Sequence, residues 1–188
     1  MTTVTPEQWN QRYIEGNTPW DSDSPDSEMQ RVIGEYDIAP CRMLELGCGT
    51  GANTVYLAGQ GFDVTAFDIS ELAMDKAKAR AEAAGINANL FQADIYDLPD
   101  LGEPFPFIFD RGVYHCVRRQ GGERFAQAVA KLTAPGGLYL TLAGNPNEPE
   151  PPQDGPPRVT AEAMCRELST EFDLVQLREF RFDQITID

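Results

Sequence analysis

The spacing of hydrophobic positions changes near residue 41, beyond which short apolar runs alternate with longer segments of helical periodicity. The apolar runs predict six strands, at Arg42–Leu46, Asp63–Phe67, Ala88–Gln92, Phe107–Asp110, Leu138–Ala143 and Phe172–Leu177. The segments between them predict helices at 51–60, 71–85, 121–133 and 160–170. This alternation is typical of an α/β fold with a doubly wound, mostly parallel, Rossmann-like sheet and helices on both faces. Ligands of such sheets bind beyond the carboxyl ends of the strands.

The first 40 residues lack this alternation. Residues 6–16 predict a helix, with Pro6 near its start and Gly16 at its end, and residues 28–38 predict a second one. A polar loop, 17–27, separates them and carries Trp20.

Charge and length narrow the class of protein. The chain has 15 basic and 30 acidic residues and a net charge of −15, which disfavours nucleic acid and anionic membranes as partners. Arg118, Arg119 and Arg124 form a short basic cluster, which we interpret as a solvated face. No apolar run reaches the roughly 20 residues of a membrane span. The N-terminus lacks the pattern of a secretory signal, so we expect a cytoplasmic protein.

The sequence has few residues of the types that bind zinc, histidine and paired cysteine. The four cysteines form no Cys-x-x-Cys pair and His115 is the only histidine, so we expect no metal site.

The strongest motif is Met43-Leu44-Glu45-Leu46-Gly47-Cys48-Gly49-Thr50-Gly51, in which a strand leads through a glycine turn into a helix. Gly47 and Gly49 permit positive φ angles and a close approach of the backbone to a ligand. The same glycines with Ala52 also satisfy the G-x-G-x-x-G/A pattern of dinucleotide-binding proteins. An acid after the second strand, Asp68, suits ribose hydroxyls in either case. A nicotinamide-dependent oxidoreductase is therefore one alternative.

Three further features favour a different ligand. Glu45 precedes the first glycine by two residues, where a carboxylate can face the amine or cationic part of an amino-acid ligand. Asp94 follows the third strand, where it can accept a hydrogen bond from an adenine amine. The turn at residues 134–137, Ala-Pro-Gly-Gly, then leads into the fifth strand.

In this order, the motifs resemble those of class I S-adenosylmethionine-dependent methyltransferases over residues 41–143. The resemblance implies S-adenosylmethionine as cofactor, with Gly47, Gly49 and Gly51 around its methionine part, Asp68 at the ribose and Asp94 near the adenine. We also assign to the cofactor site residues within or beside the motifs, namely Glu45, Cys48, Ile69, Ile95 and Asp110.

The N-terminal aromatic residues narrow the resemblance. Trp9-x-x-x-Tyr13 and Thr18-Pro19-Trp20-Asp21 are similar to the opening of the thiopurine, thiol and halide methyltransferases, with tellurite-resistance methyltransferases similar in design. The family implies that Trp9, Tyr13 and Trp20 line the cofactor and active site, although it more usually has Trp where Tyr13 stands. Aromatic faces at one helical spacing can attract the methylsulfonium cation. Alternatively, Trp9 only attaches its helix to the core.

Two residues near the fourth strand are candidate catalytic groups. Phe109-Asp110-Arg111-Gly112 resembles the thiopurine methyltransferase pattern, in which the arginine is close to the substrate. Arg111 would neutralise an anionic nucleophile, or pair with a neighbouring aspartate. His115 would act as a general base, or would be a structural or pocket-lining residue.

We therefore expect one domain over 1–188: a helical cap and loop (1–40), a cofactor-binding core (41–143), and a proline-rich loop, helix and terminal strand (144–188). Phe172–Leu177 and Phe180–Phe182 would supply a sixth strand, which leaves a seventh strand short or missing. The loop Asn145–Pro157 has six prolines and, with Asn17–Ser27, is expected to close over the substrate.

The expected reaction is methyl transfer to a small molecule with a soft nucleophile, by a monomer or weak dimer. A non-catalytic cofactor-binding module is a further alternative to the oxidoreductase.

Overall fold

The computed structural model describes residues 5–147 and 157–182. Two helices, α1 (Pro6–Glu15) and α2 (Ser27–Glu35), precede the sheet. The alternating core then contains β1 (Arg42–Leu46), α3 (Ala52–Gly59), β2 (Asp63–Asp68), α4 (Glu71–Ala83), β3 (Asn89–Gln92), β4 (Phe105–Arg111), α5 (Val113–Val117), α6 (Gly122–Leu132), β5 (Thr133–Leu142) and α7 (Ala161–Leu168). A single 3-10 turn, Arg118–Gln120, joins α5 to α6.

The five strands form one parallel sheet in the order β3-β2-β1-β4-β5. The chain therefore adds strands to one side of β1, then crosses over to its other side at β4. The carboxyl ends of β1 and β4 are adjacent at this crossover, which confirms the predicted doubly wound α/β fold and positions a ligand cleft there.

Alternate residues of β1 and β4 pack on opposite faces of the sheet, as the pleat of a strand requires. Met43 and Phe109 belong to one buried cluster, which Met29 of α2 and Leu57 of α3 cover. The residues at the alternate positions of the same two strands belong to a second buried cluster on the opposite face of the sheet, which Phe125 of α6 helps to cover. Buried apolar area on both faces fixes the register of the central strands.

Local signals explain why α1 and α4 start where they do. The hydroxyl of Thr5 accepts from the Gln8 amide, and the Gln8 side chain accepts from the Thr5 amide, which forms a capping box at α1. Gly16 then ends α1 with a positive φ of 68°. The hydroxyl of Ser70 accepts from the Ala73 amide and caps α4.

Strand β5 begins earlier than predicted. The predicted turn at residues 134–137 is not a separate connection: it lies within β5 as an irregularity between the pairs Phe105–Thr133 and Phe107–Leu138. Proline and glycine are tolerated there because a bulge leaves a ladder position unpaired. Helix α5, which the sequence pattern did not predict, follows β4 after one residue.

The predicted sixth strand is wrong for the described residues. Residues 172–177 and 180–182 form no strand. Phe172 packs against Tyr139 on one face of the sheet, with ring centroids 5.4 Å apart, whereas Phe180 and Phe182 pack with the cluster on the opposite face. A segment anchored on both faces passes around the sheet margin and cannot pair in register with β5. The seventh-strand candidate, Gln184–Asp188, lies outside the described residues, as does most of the proline-rich loop.

No helix in the described ranges, 5–147 and 157–182, is long and apolar enough to cross a membrane.

Candidate active site

The glycine turn after β1 has the backbone that the motif predicts. Gly47, Gly49 and Gly51 have φ angles of 61°, 55° and 83°. A Cβ atom on Gly47 would lie 2.3 Å from a methyl carbon of Val113, and one on Gly51 would lie 3.0 Å from the Cβ of Ala77. Both positions therefore require glycine for conformation and for space.

Asp68 holds this turn from the end of the neighbouring strand. Its Oδ2 atom accepts from the Gly49 amide at 3.0 Å and its Oδ1 atom accepts from the Ser70 amide at 2.8 Å. Burial raises the pKa of the Asp68 carboxyl group. The Ile69 amide lowers the pKa of this carboxyl group, and of the roughly four acceptor positions of a carboxylate at least one remains for a ligand hydroxyl. The next residue, Ile69, lies half-buried, and its carbonyl accepts from the Gln92 side chain at 3.0 Å.

Glu45 and Cys48 lie beneath the turn. Glu45 is 2% exposed and accepts a hydrogen bond from the Thr54 hydroxyl. Burial raises the pKa of the Glu45 carboxyl group to about 7. Cys48 is also buried, with its sulfur 3.7 Å from that of Met74. Both side chains therefore support the turn from the core side, while the backbone around Cys48 borders the cleft.

The residues after β3 separate into a surface residue and a core residue. Asp94 is exposed, and its Oδ1 atom accepts from the Tyr96 amide at 2.9 Å. Ile95 is 7% exposed and packs in the core cluster beside Leu44. Of these two, the carboxylate of Asp94 is the group that a ligand can reach.

The three N-terminal aromatics come together as the spacing predicts. Trp20 packs edge-on against Trp9, with ring centroids 5.3 Å apart, and against Tyr13 at 6.3 Å. The indole N–H of Trp20 donates to the Tyr13 hydroxyl at 3.4 Å. That hydroxyl approaches Gly49 so closely that a Cβ there would lie 3.4 Å away. The aromatic group therefore adjoins the glycine turn.

The loop that follows Trp20 borders the cleft and is bonded to the glycine turn and to α3. Asp21 accepts from the Thr50 hydroxyl at 2.5 Å, and the amide of Asp26 donates to the Asn53 side chain at 2.8 Å. The cleft lies between this loop and the glycine turn. We call residues 17–26 the crossing segment.

Arg111 borders the same cleft from the end of β4. Its Nε atom donates to Oδ2 of Asp26 at 2.7 Å, and its Nη1 atom donates to the Trp20 carbonyl at 2.9 Å. The Asp26 side chain is 2% exposed and that of Arg111 is 17% exposed, so this is a buried ion pair. Of the two roles considered for Arg111, the structure shows the pairing with an aspartate.

The neighbour of Arg111 has a different role. Asp110 is fully buried, and its Oδ1 atom accepts from the amides of Val113 and Tyr114 at the start of α5. Its Oδ2 atom accepts from the Tyr139 hydroxyl at 2.5 Å. Asp110 therefore shapes the turn after β4.

His115 is 5% exposed, and its Nδ1 atom accepts from the Gly144 amide at 2.8 Å. In the neutral ring the proton is then on Nε2, so the lone pair that a general base needs is already engaged. Burial and the charges of Arg111 and Arg119 lower the pKa of His115 to about 4. This geometry favours the structural interpretation of His115.

The sequence pattern missed three polar residues that hold the site together. Asp26 carries the ion pair, Asn53 anchors the crossing segment, and Asn10 attaches α1 to α4 by accepting from the Ser70 hydroxyl at 2.6 Å. The only local signal was at Asp26, which caps α2 and so resembles an ordinary helix start.

These residues fit S-adenosylmethionine. The backbone of Gly47 and Gly49 lines the cleft, and at Gly49 no side chain stands between the backbone and a ligand. Asp68 offers acceptors for ribose hydroxyls, and the acidic carboxylates of Asp21 and Asp26 border the cleft where a cationic ligand would lie.

The family comparison agrees with this geometry. The methyltransferase domain family matches residues 43–137, just over half of the 188-residue chain. The chain belongs to this family, and it is a class I S-adenosylmethionine-dependent methyltransferase domain. This membership decides against the nicotinamide-dependent alternative.

Individual relatives are similar at moderate identity. A 2-heptyl-1-hydroxyquinolin-4(1H)-one methyltransferase of Mycobacteroides abscessus is 28% identical over 155 residues, 82% of this chain and 67% of the relative. A probable thiol methyltransferase 2 of Arabidopsis thaliana is 29% identical over 137 residues, 71% of this chain and 60% of the relative. The crystal structure of TehB from Haemophilus influenzae superimposes with a TM-score of 0.65 over 81% of this chain and 53% of TehB, at 24% identity, and shares the fold. The chain thus spans about two thirds or less of the length of these proteins.

Proposed function

We propose that this chain methylates a small molecule whose nucleophilic atom is soft, such as a thiolate, a halide or a reduced metalloid. The observation that carries the proposal is the engagement of His115, the one histidine of the sequence, with the Gly144 amide. A hard nucleophile such as an alcohol needs a positioned base during attack. A soft nucleophile arrives largely ionised and needs mainly orientation.

The side chains at the cleft suit orientation better than proton removal. Among the described residues that line it, the ionisable groups are Asp21, Asp26, Cys48 and Arg111. Asp26 and Arg111 pair with each other, and Asp21 is bonded to Thr50. Burial raises the pKa of the Cys48 thiol, which keeps it protonated.

S-adenosylmethionine supplies a methyl group that its sulfonium already activates. The protein's contribution would then be positional: Asp68 and the glycine turn hold the cofactor, while Trp20 and the crossing segment cover the cleft and exclude water. A probable thiol methyltransferase among the relatives, at 29% identity, supports a thiol as one acceptor.

The test compares thiols of different acidity with phenols and alcohols, with formation of S-adenosylhomocysteine as the readout. We expect thiol turnover to follow the fraction of ionised thiol across pH, because the acceptor and not the enzyme would titrate. His115→Gln should keep this profile. Loss of turnover in His115→Gln, with cofactor affinity unchanged and Arg111→Ala active, would establish base-assisted transfer instead. Cofactor binding without methylation of any acceptor would favour a non-catalytic module.

A further inference from the structure

The last part of the described chain passes from one face of the sheet to the other. Phe172 packs against Tyr139 on one face, whereas Phe180 and Phe182 pack with the buried cluster on the opposite face. We call residues 172–182 the C-terminal strap. Its last residue brings an aromatic ring to the carboxyl end of β4.

Hydrogen bonds hold the strap between these aromatic contacts. The Asn145 side chain, in the loop after β5, donates to Oε1 of Glu179 at 2.6 Å. The side-chain amide of Gln176 accepts from Arg31 at 3.5 Å and donates to Glu35 at 3.4 Å, and both partners belong to α2. The path of the strap is therefore set by contacts with several elements and not by its rings alone.

Phe182 lies against Arg111. The guanidinium carbon of Arg111 is 4.6 Å from the centroid of the Phe182 ring, which is within the range of a cation–π contact. The Nε and Nη1 atoms of the same group donate to Asp26 and to the Trp20 carbonyl. Both kinds of contact can form at once, because the N–H donors of a guanidinium group lie in its plane and a ring packs on its face. Arg111 therefore joins the crossing segment, β4 and the strap.

This junction is part of the cleft, since Arg111, Trp20 and Asp26 are all among the residues that line it. On one side of the cleft, the crossing segment is bonded to Thr50 and Asn53. On the other side, it is bonded to Arg111. An arginine side chain is among the most flexible in proteins, so its position depends on the groups that pack around it.

The Phe182 ring supports the ion pair by keeping water from the face of the guanidinium group. The Arg111 side chain is 17% exposed, and Phe182 itself is half-buried. A charged hydrogen bond is stronger where groups of low polarity replace water. A leucine at position 182 would keep part of this apolar cover but would lose the attraction of the ring face. Arg111 would then leave Asp26 more readily.

We propose that Phe182 is a positioning residue of the cleft, which acts through Arg111 to hold the crossing segment beside a bound cofactor. The strap thereby slows the release of S-adenosylhomocysteine, the product that each methyl transfer leaves in the cleft. This inference goes beyond the proposed function, because it concerns the cofactor and does not depend on the nature of the methyl acceptor.

The dissociation rate of radiolabelled S-adenosylhomocysteine, displaced by an excess of the unlabelled compound, tests the inference. We expect Phe182→Leu to raise this rate about fivefold to tenfold, equivalent to about 1–1.4 kcal/mol. Phe182→Tyr keeps the ring face and should retain the wild-type rate.

Phe180→Leu is the matched control. Phe180 is half-buried in the same cluster and packs edge-on against Phe182, with ring centroids 5.0 Å apart. Among the described residues, however, the ring that Arg111 contacts is that of Phe182. Phe180→Leu therefore removes an equal ring from the strap without uncovering Arg111, and it should leave the dissociation rate unchanged.

A double-mutant cycle distinguishes an action through Arg111 from a general loss of packing. In an Arg111→Gln background, Phe182→Leu should have no further effect on the dissociation rate. Urea unfolding shows which variants are folded under the conditions of the assay.

Acrylamide quenching of Trp9 and Trp20 gives a second measurement on the single variants, which needs neither ligand nor the Arg111 change. Quenching should increase in Phe182→Leu but not in Phe180→Leu, because only the first change loosens the segment that carries Trp20. Equal acceleration of product release by the two leucine variants, an unchanged rate and unchanged quenching in Phe182→Leu, or a full effect of Phe182→Leu in the Arg111→Gln background would overturn the inference.

Discussion

Asp68 joins two parts of the site, because the oxygens that would face a ribose also accept from the Gly49 and Ser70 amides. We predict that Asp68→Asn weakens binding of S-adenosylhomocysteine about 5- to 150-fold, which corresponds to a loss of about 1–3 kcal/mol for buried groups that lose their partners. Titration calorimetry measures this change.

The control is Asp63→Asn at the other end of the same strand. Asp63 is exposed and begins β2, far from the turn. It should leave the affinity unchanged. If the two variants bind the cofactor product equally well, another group holds the ribose.

Because of His115, we expect the free energy of unfolding to decrease as the pH falls below 6.5. Its folded pKa, about 4, is below the usual value of 6.5, so the unfolded chain binds a proton more readily between these values. The stability from a neutral, buried His115 is therefore present above pH 6.5 and lost as pH falls towards 4. We predict a loss of about 2–3 kcal/mol in the free energy of unfolding between pH 7.5 and 4.5 from this residue.

The difference between wild type and His115→Gln isolates this effect, because carboxyl groups titrate in both proteins. Urea unfolding at several pH values provides the measurement. The variant should be less stable at pH 7.5, since Gly144 loses its acceptor, but its stability should decline less on acidification. Parallel pH profiles for the two proteins would show that the pKa of His115 is the same in the folded and the unfolded chain.

The site residues that lie within a short sequence motif could be predicted from the sequence. The glycine turn and Asp68 are adjacent in space because β1 and β2 pair in parallel, a relation that the strand pattern already implies. Asp26 could not be found this way. It is 85 residues from Arg111 in sequence, and a side-chain pair across such a distance leaves no periodic signal.

At the scale of elements, the buried pair of Asp26 and Arg111 attaches the crossing segment to the end of β4. Asp26→Asn should keep the α2 cap, in which Oδ1 accepts from the Glu28 and Met29 amides, but should leave the Arg111 charge without compensation. We predict a loss of about 3 kcal/mol in the free energy of unfolding, because removing one partner of a buried ion pair is costly. Urea unfolding and limited proteolysis of residues 17–26 measure the effect.

Asp23→Asn is a control within the same segment. Asp23 pairs with Arg80 at 2.7 Å, but its side chain is 97% exposed, and exposed pairs contribute about 0–1 kcal/mol. This variant should resemble wild type. Similar losses for Asp23→Asn and Asp26→Asn would mean that the buried pair has no special role.

The bounds of helices and strands with a strong hydrophobic periodicity were predicted well. The structure of residues 172–177 was not. The strands β1 and β2 and the helices around them start within a residue or two of their predicted positions. Residues 172–177 have the apolar content of a strand, but Leu174 and Val175 remain 58% and 66% exposed. Apolar composition predicts a strand only where a neighbouring strand supplies hydrogen bonds and cover, and sequence pattern alone does not show that neighbour.

For the whole molecule we predict a single cooperative unfolding transition, which is the behaviour expected if residues 1–188 form one domain. The two tryptophans, Trp9 and Trp20, both lie before the sheet, so their fluorescence reports the N-terminal part. Far-ultraviolet circular dichroism reports mainly the helices and strands of the core. The two transitions should coincide, and S-adenosylhomocysteine should raise both midpoints together. A fluorescence transition at lower urea than the dichroism transition would show that residues 1–40 unfold separately.

The distance between Asp26 and Arg111 also matters during protein synthesis. A ribosome adds about 5–20 residues per second, so the 85 residues between the two partners take about 4–17 s to make. Throughout that interval the Asp26 carboxylate has been synthesised but Arg111 has not, whereas Asn53 and Ser70, which bond to Asp26 and to α1, are made well before β4. The buried ion pair is therefore among the last contacts that the N-terminal part can form, and the crossing segment is not attached to β4 until that strand has been completed.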